Sequence, residues 1–269
     1  MTKSQFLVPL LAAFGLAHAA AAQQTAPPPA ASQAPAPTIV VTGTPDESKN
    51  PIAANPRIRA DMQIESRTNY NQSSIFVHCA PPDAATLRSV LDGPPNEQTT
   101  VFTLGRFVEK HIQCHQHYDY SNHPDPVDLG RSLQGFYDRG AMLEYALNTY
   151  QPNLKLKRSD THKQAIIDRF NAVEQGRNRY RWPEDIAYFK VAICMVQAEP
   201  DLAGQMMRSD PGSPQSERIG KTIIARAHAC RPDAKRIEVD PTQFRIYVLD
   251  AYYRWAEASQ GLESLIPGG

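Results

Sequence analysis

Beyond about residue 60 the apolar positions return every three or four residues, the spacing that gathers side chains on one face of a helix. Over residues 98–115 this groups Leu104, Phe107, Val108 and Ile112. In the segment opened by Ser213-Pro214 it aligns Ile219, Ile223, Ala227 and Cys230, and after Asp240-Pro241 it turns Phe244, Val248, Ala251 and Trp255 to one side. Further helices are predicted over residues 83–91 and 129–148, the second burying Leu133, Phe136, Tyr137, Leu143 and Leu147, with Gly140 admitting a close neighbour. Thr161-His162-Lys163-Gln164 has the form of a capping box and opens a helix to about residue 175. Pro183 suits the first turn of another, in which residues 186–196 are apolar enough for the centre of a bundle. No strand is expected after residue 60. The predicted fold is an all-α helical bundle over residues 61–260, with a disordered C-terminus at 261–269.

The helical pattern occurs twice. Cys79 and Cys114 are 35 residues apart, Cys194 and Cys230 are 36 apart, and residues 76–114 align with 192–230. Asp83 and Ala85 fall on Asp201 and Ala203, Pro94 falls on Pro211, and beyond the second cysteines Tyr137, Ala141 and Ala146 correspond to Tyr247, Ala251 and Ala256. The unit is longer than a tetratricopeptide or ankyrin repeat of about 33 to 34 residues. Two pseudo-repeats, 72–150 and 184–260, are expected on either side of a connector at 151–183. Four cysteines allow three pairings. Pairing within each copy, Cys79 with Cys114 and Cys194 with Cys230, closes loops of nearly equal length and staples a helical hairpin to the helix before it; a clasp from Cys79 to Cys230 is the alternative.

The first 22 residues read as a signal peptide: Lys3, an apolar run from Phe6 to Leu16, then small residues at Ala17-His18-Ala19 and Ala20-Ala21-Ala22. That run is too short to span a bilayer, and no later segment reaches roughly 18 apolar residues. An oxidising compartment, the periplasm or the exterior of a Gram-negative bacterium, makes disulfides the natural state of the cysteines. Charge is balanced at 28 basic and 28 acidic residues, which offers no electrostatic case for nucleic acid or an anionic membrane. Residues 23–60 are rich in Ala and Pro and are expected to be a disordered tail.

Within that tail, Thr38-Ile39-Val40-Val41-Thr42-Gly43 stands alone as a β-prone run between proline-rich spacers. It resembles the TonB box of TonB-dependent outer-membrane receptors. The resemblance implies strand addition to a TonB-like periplasmic partner through Ile39, Val40, Val41 and Thr42, although no receptor plug or barrel pattern follows. The body, over about residues 76–259, is similar to exported paired-cysteine helical proteins of sphingomonad-type α-proteobacteria. That similarity implies a compartment and a fold.

Two other constellations carry chemistry. His111, His115 and His117 crowd around Cys114, with His111 and His115 at the spacing at which two imidazoles share a metal. The aligned positions of the second copy hold Ala227 and Arg231 instead. Arg177, Arg179 and Arg181 alternate with Asn178, Tyr180 and Trp182, so an extended segment would present three guanidiniums to an anion. No nucleophile elbow, P-loop, dinucleotide fingerprint or HExxH is present, so no catalytic residue or cofactor is assigned. A non-enzymatic interaction protein is the leading expectation, with an anion- or metal-binding protein as the alternative.

Overall fold

In the computed structural model, which describes residues 38–41, 56–115, 125–232 and 236–268, the chain between the two cysteines of each bridge runs through an 8-residue helix, a 13-residue helix and a 3₁₀ turn in both halves. The first comprises α1 (Pro56–Cys79), α2 (Ala84–Leu91), α3 (Gln98–Lys110), a 3₁₀ turn at Ile112–Cys114, α4 (Pro126–Arg131) and α5 (Leu133–Tyr150). The connector holds α6 (Arg158–Thr161), α7 (Gln164–Arg177) and a 3₁₀ turn at Asn178–Tyr180. The second contains α8 (Pro183–Ala198), α9 (Pro200–Met207), α10 (Pro214–Arg226), a 3₁₀ turn at His228–Cys230 and α11 (Pro241–Gln260). The disulfides are Cys79–Cys114 and Cys194–Cys230, as the spacing predicts.

Local chemistry fixes several boundaries. Asp83, Ser213 and Asp240 each accept a hydrogen bond from an amide in the first turn of the helix that follows, a cap worth about 1 kcal/mol. The 129–148 helix is instead two. Ser132 adopts an extended backbone and accepts from the Gly135 amide, ending α4 and starting α5, so Leu133 turns outward and is 59% exposed. The expected box at Thr161 also fails. Its buried hydroxyl donates to the Gln197 carbonyl at 2.8 Å, and α7 starts at Gln164 without a side-chain cap.

One hydrophobic cluster extends through both halves. At its centre α11 packs against α5, α7, α8 and α9. Trp255 stacks on Phe170 at 4.2 Å and donates its indole N–H to the Ile193 carbonyl. The C-terminal residues are part of this packing: Leu265 and Ile266 are buried, and the Leu265 carbonyl accepts from Gln151. Expected disorder over 261–269 is therefore corrected for Leu265 and Ile266, whose apolar side chains cover the end of the bundle.

The halves part company after the second cysteine. In the first, α3 and α4 cross so closely that a Cβ on Gly105 would lie 1.7 Å from the Pro126 carbonyl oxygen, and one on Gly130 2.0 Å from that of Val101. The counterpart of Gly105, nine residues before Cys230, is the exposed Lys221. Lys221 thus carries a side chain where Gly105 leaves room for backbone, and a strand, β2 (Arg236–Val239), stands ahead of α11 where α4 stands ahead of α5. Gly105→Ala is expected to lose about 1–3 kcal/mol or more in urea denaturation, since backbone must move. Gly176→Ala, with open space around its Cβ in α7, should gain up to about 1 kcal/mol.

Candidate peptide-docking site

Two of the three connector arginines are consumed by the fold. The 3₁₀ turn at Asn178–Tyr180 sets Arg177 and Arg181 four residues apart on one inward side and leaves Arg179 exposed on the other. Arg177 donates to the Asp92 carbonyl at 2.7 Å and pairs with Glu174 and Glu257. Arg181 pairs with Asp250 at 2.8 Å and lies over the Phe189 ring. The extended three-guanidinium face is thus replaced by a turn that spends its charges on buried carboxylates.

Asp250 is the hub of that region. Burial alone would raise its carboxyl, but Arg139, Arg181 and Arg254 outweigh burial and hold it well below the usual carboxylate range. Arg254, also buried, is raised against its own desolvation by Glu257, Asp250 and Glu174. Glu257, unlike Asp250, is raised: burial raises it, and Arg254 and Arg177 only partly compensate. A second buried set ties α11 to α5, with Arg245 bonded to Glu144 at 2.7 Å and to the Met206 and Ser209 carbonyls, and Tyr70 donating to Glu144. These groups hold helices together through buried ion pairs and hydrogen bonds.

The two described histidines of the candidate set face different partners. His115 is buried, bonded to Asp138 at 3.0 Å and packed on Phe76, while His111 lies against Phe107. His117 lies outside the described residues, and among the described residues no cluster of three His, Cys, Asp or Glu is placed to hold a metal ion. Asp138 also accepts from Ser73 at 2.6 Å, making His115 part of a latch between α1, α5 and the end of the first disulfide loop. The four cysteines are all oxidised.

The remaining site is formed by backbone. Residues Thr38–Val41 are a strand, β1, paired in parallel with β2: Thr38 opposite Arg236, Ile39 opposite Ile237, Val40 opposite Glu238 and Val41 opposite Val239. Thr42 lies outside the described residues. β2 corrects the expectation of no strand after residue 60. Its signal is visible in retrospect, since Arg-Ile-Glu-Val alternates polar and branched apolar residues between Pro232 and Pro241.

At its C-terminal end β2 borders a small apolar groove between α8 and α11. Val191 and Met195 of α8, Val239 of β2, and Phe244 and Tyr247 of α11 form its walls. Asp240 sits at the rim, capping α11 through the amides of Thr242 and Gln243 at 2.9 Å. Burial pushes the Asp240 carboxyl up despite those amides. A strand edge beside an apolar groove can hold an extended peptide by main-chain hydrogen bonds and select its side chains by the groove.

The chain matches no known protein family, and no curated protein or solved structure is significantly similar to it.

Proposed function

We propose that this is an exported, non-enzymatic interaction protein of a Gram-negative periplasm that contacts a TonB-like protein through residues 38–43. The observation that carries the reading is the strand conformation of Thr38–Val41, since backbone already extended is what β-augmentation requires. Two intra-half disulfides accord with an oxidising compartment. Among the described residues no helix is long and apolar enough to cross a membrane. The helical body serves as the rigid support on which the segment is carried. The anion and metal alternatives lose their supporting geometry, because Arg177, Arg181 and His115 are committed to internal partners.

The test is calorimetric titration of the full chain with the periplasmic domain of a TonB protein. Binding should vanish when residues 38–43 are deleted, with the melting temperature unchanged. Undiminished binding by the deletion variant, or no binding by the intact chain, would overturn the reading.

A further inference from the structure

We infer that β2 is a docking strand for an extended β-branched peptide, and that its resident occupant is the chain's own Thr38–Val41 segment bound in cis. The docking claim stands on the strand pair alone. Its regulatory consequence, that the segment offered to a partner is sequestered when closed, rests on the function proposed above.

Three observations carry the inference. The pairing joins positions almost 200 residues apart in sequence, so it is tertiary docking and not a local hairpin. It occurs where the second half departs from the first, with β2 standing between the 3₁₀ turn and α11 in the place that α4 holds before α5. The docking strand ends at the apolar groove, through the shared residue Val239. β1 and β2 belong to one chain, so the segment competes as an intramolecular ligand, for which effective concentrations are on the order of millimolar. A free peptide of the same sequence must compete with it. A partner that needs the same edge of β1 binds more weakly by the fraction of molecules that are open.

The experiment uses a labelled synthetic peptide of residues 36–43 and fluorescence anisotropy. The chain lacking residues 38–43 should bind it, and the intact chain should bind at least about tenfold more weakly, given a millimolar intramolecular competitor. Neighbouring residues of a strand direct their amides to opposite edges, so one of Ile237→Pro and Glu238→Pro must remove an amide aimed at β1. At least one of them, made in the deletion background, should abolish peptide binding. Hydrogen exchange gives an independent readout: amide protection within residues 236–239 should fall on deletion and return on adding peptide.

Equal peptide affinity for the intact and deleted chains would overturn the proposal. So would protection of 236–239 that is indifferent to both deletion and peptide. Concentration-dependent dimerisation of the intact chain, lost on deletion, would place the strand pair between copies and overturn the cis assignment. None of these outcomes depends on capture by a TonB domain, so failure of the proposed function is read separately.

Discussion

Replacing Asp250 with asparagine should lower folding stability by about 3–5 kcal/mol, the range for removing one partner from a buried ion pair. The change is nearly isosteric, so little of the loss comes from packing. It arises because Arg181 at 2.8 Å, Arg254 at 3.5 Å and Arg139 at 3.6 Å would keep their charges in the interior without the carboxylate they share. Urea denaturation at pH 7 measures the loss. The pH dependence separates charge from shape. Asp250 has a folded pKa below its unfolded value of about 3.9, so its stabilisation is fully present above about pH 4 and fades as pH falls toward the folded value. Glu257 is raised, so its contribution is fully present below its unfolded pKa of about 4.3 and is lost as pH rises through the folded value. The wild-type advantage over Asp250→Asn should therefore be flat from pH 5 to 8 and shrink below pH 4. An advantage that does not shrink in acid would assign the effect to packing.

What could be read from sequence was what is local or periodic. Asp83, Ser213 and Asp240 announce helices because a cap and its amide lie within three residues. The cysteine pairing was legible because the same spacing occurs twice. The Asp250 hub was not, since Arg139, Arg181 and Asp250 meet only after three distant segments pack. The connector arginines misled for a related reason: alternation along a sequence becomes one-sided only in an extended chain, and Asn178–Tyr180 turns. At the candidate site, half was visible. The isolated run at 38–43 showed its β-propensity, whereas β2 is four residues with two apolar side chains and is recognisable chiefly by its distant partner.

Replacing Cys194 and Cys230 together with alanine should lose about 4 kcal/mol, the chain-entropy value for a loop of 36 residues. The Cys79/Cys114 pair, closing 35, should lose about the same. The two variants should nevertheless differ in where the structure loosens. Around Cys114 the chain stays tied by His115 to Asp138, and α1 stays tied to α5 through Ser73 and Tyr70. Beyond Cys230 the chain leads within a few residues to β2, so loss of the second bridge frees the stem of the docking strand. Amide exchange at 236–239 should accelerate in the Cys194/Cys230 variant and change little in the Cys79/Cys114 variant. Because the bridges lie in separate halves, their losses should add to about 8 kcal/mol, against a total of about 5–15 kcal/mol for a typical domain. Reduction of both is then expected to leave the bundle marginal or unfolded. A fully reduced chain that retained its urea midpoint would mean that the helical core, and not the pair of staples, holds the fold.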